Sequence, residues 1–163
     1  MAARIPSDRA WRHFRFGWWT LLVFLSMGAI LELFHAFKVE WYLDVGYETR
    51  RLMWRLAHAH GALLGLVNVV FASTLQLTGR PSGRSGEWAS HCLIAATVVL
   101  PGGFFLGGAS VYGGDPGLGV VVAPVGAVFL FVSVALVARG LGPASEPEEA
   151  GDGDGPGPEP GDG

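Results

Sequence analysis

Residues Leu118 to Ala138 read LGVVVAPVGAVFLFVSVALVA and contain no charged side chain. As an α-helix, 21 residues extend about 30 Å, which matches the thickness of the hydrocarbon layer of a bilayer. A stretch of this length without a charge is typical of a transmembrane helix. The stretch therefore predicts that the chain is a membrane protein.

Three further apolar blocks precede this one and give the whole chain its composition. Half of the 163 residues are hydrophobic and only 15% are charged, whereas a soluble domain of this size needs a more polar surface. The turns before the third and fourth blocks are short, which favours antiparallel neighbours. We predict an all-α, integral membrane four-helix antiparallel bundle occupying residues 16–139, with spans at about 16–37, 56–77, 88–111 and 118–138.

The two ends of the chain differ from this core. Residues 1–15 form a basic arm with four arginines, and residues 140–163 form an acidic tail rich in glycine and proline. The composition of the tail buries too little apolar surface to fold, so we predict that it is disordered. The arm is expected to meet anionic lipid head groups rather than nucleic acid.

The distribution of lysine and arginine predicts the orientation in the membrane. Seven of these residues fall on the side that holds the arm, the 78–86 turn and Arg139, and four fall on the other side. Positive residues are enriched on the cytoplasmic side, so both termini are expected in the cytoplasm and the protein in the plasma (inner) membrane.

Ionisable residues inside a span are costly and are candidates for function. On the first span Gly28, Glu32 and His35 follow helical spacing, which places them on one face predicted to point into the bundle. His58 and His60 lie near the start of the second span, and the antiparallel arrangement predicts that His58 lies at the depth of His35. His13 is expected to be solvated within the basic arm, and His91 lies at the opposite end of the third span.

Two imidazoles at one depth, surrounded by glycine, predict axial binding of haem iron by His35 and His58, with His60 as a further cofactor ligand. Glu32, His35 and His58 could instead bind a transition metal. A third interpretation is that these polar residues only hold the first two helices together. The ligand, the cofactor and any enzymatic activity stay open.

One segment resembles a known family. The residues from His58 to Gly65, HAHGALLG, resemble the His-x-His-x-x-Leu-x-Gly helix of the catalytic subunits of haem-copper oxidases and nitric oxide reductases. This resemblance implies binding of haem or a metal. The four-span plan is similar to that of small bacterial membrane proteins of the hydroxylaminobenzene mutase type.

The alternative hypothesis is a non-catalytic membrane module that assembles with itself or with a larger membrane complex. The spacing of Gly119, Ala123 and Gly126 in the fourth span favours close helix packing, as do the glycines of the third span. A proton or solute pathway through Glu32 is a further hypothesis. The lipid bilayer is the partner common to all of them.

Overall fold

The computed structural model describes residues 7–142, so the predicted disorder of the tail concerns residues almost wholly outside the described range. Described residues are helical apart from short connections and one two-stranded hairpin. The α-helices are α1 (Asp8–Ala36), α2 (Glu40–Leu43), α3 (Glu48–Thr78), α4 (Gly83–Ala109) and α5 (Ala123–Gly140). Val45–Tyr47 and Leu118–Val122 are 3₁₀ turns, and the strands are β1 (Val111–Tyr112) and β2 (Asp115–Pro116).

Four helical segments are long and apolar enough to cross a membrane: α1, α3, α4 and residues 118–140. Their positions confirm the four predicted apolar helices. The second half of the first connector is helical, because α3 begins at Glu48 and continues into the predicted second span. Helix α4 continues through Pro101, although proline has no backbone N–H and removes one hydrogen bond from a helix.

Helix α1 begins eight residues before the predicted first span. The Ser7 side chain accepts a hydrogen bond from the backbone N–H of Ala10, and Asp8 lies in the first turn. Both features stabilise a helix N-terminus, where N–H groups are unpaired and the helix dipole is positive. Much of the predicted basic arm is therefore helical and extends α1.

A tight hairpin connects α4 to the 3₁₀ turn that precedes α5. Val111 pairs with Pro116 and Tyr112 with Asp115, and the loop between the strands is Gly113 and Gly114. Both glycines have positive φ, 59° and 89°, which glycine adopts at low cost and which hairpin loops of two residues require. The hairpin reverses the chain within a few residues.

The long helices contact one another in sequence order: α1 contacts α3, α3 contacts α4, and α4 contacts α5. On α3 a stripe of mostly small residues is buried, which allows close helix packing. This stripe consists of Ala57, Gly61, Gly65, Asn68 and Ala72. Gly65 lies against Gly17 of α1, and Gly61 lies against the Phe24 ring.

The small residues of the last helical segment are used in the same way. Gly103 of α4 lies against Ala123, and Gly126 of α5 lies against the backbone of Leu100. Within residues 7–142, no extended packing joins α1 to α5. The long helices therefore form a row in which α1 and α5 are the two ends.

Candidate functional site

His58 lies in the interface between α3 and α1. Its Nδ1 hydrogen-bonds the carbonyl oxygen of Phe24 at 2.7 Å, which requires the Nδ1–H tautomer, since a carbonyl only accepts. The imidazole lies against Gly28, where a side chain would collide with the ring. Gly28 therefore makes room for His58, whose ring faces α1.

His60 is turned away from α1. Its Nδ1 bonds the carbonyl oxygen of Leu56 in its own helix at 2.8 Å, and its ring lies 4.9 Å from that of Phe104 on α4. His58 and His60 thus contact different helices, as expected for residues about 200° apart around a helix axis.

Glu32 and His35 are both exposed, so the prediction that they face the interior of the bundle is wrong. The buried positions of α1 are Ala10, His13, Gly17, Thr20 and Leu31. These positions follow the seven-residue spacing of a helix packed along one neighbour. Leu31 occupies the packed position, and its neighbour Glu32 is rotated about 100° away from it.

The depth predicted for His35 also differs from the structure. Because His58 lies against Gly28, His35 is seven residues further along α1, about 10 Å at 1.5 Å per residue. In the range 7–142, no three His, Cys, Asp or Glu side chains are placed to hold a metal ion. The structure therefore does not bring Glu32, His35 and His58 together as a metal centre.

Arg51, near the start of α3, contacts the first connector. Arg51 donates hydrogen bonds to the carbonyl oxygens of Tyr42 and Asp44, both at 3.2 Å, and lies 3.6 Å from Glu48. Arg55 and Asp115 are exposed. Arg51 thus fastens the first connector to the start of α3.

Among residues 7–142, the most buried ionisable side chain is that of His13, which the sequence predicted to be solvated. His13 has no exposed surface. Its Nδ1 lies 2.6 Å from Oδ1 of Asn68 on α3, and its Nε2 lies 2.8 Å from Oγ of Ser90 on α4. The ring also makes an edge contact with Phe71, with centroids 4.7 Å apart. His13 therefore joins three helices at one point.

Asn68 extends this network deeper into α4. Its Nδ2 donates to the carbonyl oxygen of Leu64 at 2.8 Å and to Oγ1 of Thr97 at 2.9 Å. The Thr97 hydroxyl in turn donates to the carbonyl oxygen of Leu93 at 2.7 Å. Both donors and the acceptor of the Asn68 amide are thus used.

The donors and acceptors fix the protonation pattern of this network. Because Asn68 offers its oxygen, Nδ1 of His13 donates and Nε2 accepts. Arg12 donates to Oγ of Ser90 at 2.7 Å, which leaves the Ser90 hydroxyl free to donate to Nε2. Throughout the described range, no buried side-chain nitrogen or oxygen lacks a hydrogen-bond partner. The network is a neutral, saturated connection between helices.

One signal in the sequence could have found His13. Ala10, His13, Gly17 and Thr20 continue the spacing of the first span toward the N-terminus, with small residues at close-packing positions. The arginines at positions 9, 12 and 15 concealed this pattern, because they suggested a solvated arm. Arg9 in fact lies 3.8 Å from Glu87 of α4, beside the same junction.

Comparison of the chain with protein-family models, with curated proteins and with solved structures finds no match.

Proposed function

We propose that this chain is a multi-pass protein of the plasma (inner) membrane and a non-catalytic module that assembles with itself or with a larger membrane complex. Its four long helices would form an antiparallel bundle in the bilayer, with both termini in the cytoplasm. The proposal of both cytoplasmic termini is supported by the excess of arginine near the ends of α1, α3 and α4 on that side.

The observation that carries the assembly proposal is the row of helices. Helices α3 and α4 pack against two neighbours each, whereas α1 and α5 each have one extended neighbour. Within the most apolar window, only 17% of residues are buried in α1 and in the last segment, compared with 50% in α4. Two end helices with open apolar faces offer the surfaces that further transmembrane helices could pack against.

The polar residues support a structural rather than a catalytic role. The His13 network uses all its donors and acceptors within the protein, and hydrogen bonds of this kind hold transmembrane helices together.

Cross-linking in native membranes tests the assembly. In a Cys92→Ala background, Ser26→Cys on α1 and Val128→Cys on α5 place thiols on exposed faces of the two end helices. A bifunctional maleimide is expected to give adducts larger than the monomer from at least one variant. The control is Ser133→Cys, which is buried against Ala89 and should stay monomeric. Monomers from all three variants would contradict the proposal.

A second candidate is haem binding by His58, which one observation favours. Histidines that bind metals commonly donate their other ring N–H to a carbonyl or carboxylate, and His58 donates Nδ1–H to Phe24. His58 would then offer Nε2 to the iron, with His35 and His60 as the further ligands considered. A transition metal would require Glu32 and His35 to move toward His58.

An absorption spectrum and elemental analysis of the purified protein separate the two candidates. Haem binding predicts a visible band that His58→Ala removes and that His91→Ala leaves unchanged, since His91 lies near the opposite end of α4 and is exposed. Colourless, metal-free protein that is folded would refute the second candidate and leave the first.

A further inference from the structure

Helices α1 and α4 meet near their N-terminal ends. There Arg12 and His13 reach Ser90, and Arg9 lies near Glu87. Beyond this junction the helices separate and leave an apolar cavity of about 480 Å³. It is lined on α1 by Phe16, Trp19, Thr20, Val23, Phe24 and Met27. On α4 the lining residues are Thr97, Val98, Pro101, Gly102 and Phe105.

A second, more polar cavity of about 430 Å³ continues the first toward the N-terminus of α1. The two share Phe16 and Trp19, so they form one crevice. The polar end is lined by Arg12, Arg15, Trp11 and one carboxylate, Asp8. Two arginines and one aspartate give this end a net positive charge.

The apolar part of the crevice is about as long as the hydrocarbon layer of one leaflet. From Thr97 to Phe105 the apolar part extends eight residues along α4, about 12 Å. This length is close to half of the roughly 30 Å hydrocarbon layer. The basic end lies on the side that we propose is cytoplasmic, where anionic lipids concentrate.

We propose that this crevice binds one anionic phospholipid, with its head group at Arg12 and Arg15 and one acyl chain between α1 and α4. The positive charge complements the phosphate, and Trp11 and Trp19 are placed where indole rings settle at the membrane surface. Because Gly102 has no side chain, it leaves open space in which the acyl chain has room beside α4. This inference rests on the proposed membrane location and orientation but not on assembly.

Native mass spectrometry of the full chain tests the site. The protein is purified in mild detergent with an equal mixture of phosphatidylglycerol and phosphatidylcholine that have the same acyl chains. We expect one retained phosphatidylglycerol, preferred several-fold. Arg15→Gln should lower that preference about fivefold, because one arginine near the surface contributes about 1 kcal/mol to anionic lipid binding. The matched control Arg84→Gln removes the same charge from an exposed position of α4 and should change the preference less than twofold.

Filling the apolar end tests the acyl-chain site separately. Gly102→Leu should reduce retention of the lipid at least fivefold, while Ala127→Leu on the exposed face of α5 should leave it unchanged. If Gly102→Leu does not fold, as judged by circular dichroism, Val98→Phe fills the same cavity.

Three outcomes would overturn the proposed lipid site. The first is equal retention of both lipids by the wild-type protein, and the second is an Arg15→Gln effect no larger than that of Arg84→Gln. The third is loss of a dimer with unchanged lipid retention in Gly102→Leu or Val98→Phe. The last outcome would assign the crevice to a second copy. Absence of cross-linked oligomers from the cysteine variants on α1 and α5, while the wild-type protein retains phosphatidylglycerol, would instead refute only the proposed assembly.

Discussion

The imidazole of His13, on α1, connects three helices because each of its two nitrogens contacts a different neighbouring helix. Nδ1 reaches Asn68 on α3 and Nε2 reaches Ser90 on α4, and the ring is fully buried. A buried polar group that loses its partner costs more than the hydrogen bond gained, because desolvation is then uncompensated. Loss of the His13 side chain therefore leaves its buried partners with an uncompensated desolvation cost, just as loss of a partner does for His13.

Replacing His13 with Ala should destabilise the fold by about 2 kcal/mol, since Asn68 Oδ1 and the Ser90 hydroxyl lose their partner and a cavity opens. Unfolding by sodium dodecyl sulfate in mixed micelles, followed by circular dichroism, measures this loss. His91→Ala is the control, because His91 is exposed and bonds only the carbonyl of Glu87 in its own helix. It should change stability by less than about 0.5 kcal/mol. Equal effects of the two substitutions would exclude the network as a stabilising junction.

At the level of helices, two helices approach closely at those glycines whose surroundings leave no room for a side chain. A Cβ at Gly17 would lie 2.8 Å from the carbonyl oxygen of Gly65, which is backbone and cannot rotate away. A Cβ at Gly102 would meet nothing within 4 Å. The two glycines thus have different roles, although both lie within long helices.

Gly17→Ala should therefore destabilise the protein by about 1–3 kcal/mol, because α1 must move away from α3. Gly102→Ala should be neutral or stabilising by up to about 1 kcal/mol, since alanine favours helix and the site is open. The same detergent titration compares the two. The interface would have to be looser than described if Gly17→Ala were as well tolerated as Gly102→Ala.

The helices were predictable from sequence, but the buried face of α1 was not. Long apolar blocks specify a span by length alone, and the small residues of α3 marked its packed face. On α1, Gly28 belongs to the contact with α3, whereas Glu32 and His35 lie outside it. Leu31 and Glu32 are neighbours in sequence and point about 100° apart around the helix axis, so a small error in the predicted rotation of α1 replaces one by the other in the interface. Hydropathy does not distinguish the two faces of α1, because both are largely apolar.

For the molecule as a whole, an even number of spans would place the two ends of the described chain on one side of the membrane. Ser7 precedes α1 and the turn at Ser82 lies between α3 and α4, whereas the first connector lies between α1 and α3 and the hairpin follows α4. The arginine bias predicts that the first pair is cytoplasmic. The crevice between α1 and α4 would then open toward the anionic leaflet.

Cysteine labelling in intact cells measures this topology. In a Cys92→Ala background, Val45→Cys and Tyr112→Cys should react with an impermeant maleimide from outside, since both side chains are at least 80% exposed. Ser7→Cys and Ser82→Cys should react only after the cells are lysed. Outside labelling of Ser82→Cys with protection of Tyr112→Cys would invert the orientation and remove the basis for an inner-leaflet lipid.

The spacing of the His13 partners along the chain has a consequence for biosynthesis. Asn68 follows His13 by 55 residues and Ser90 follows it by 77. During translation the imidazole therefore emerges from the ribosome well before either residue that completes its bonds. The junction therefore cannot close until the third long helix has been synthesised, so its formation is a late event in the folding of the chain.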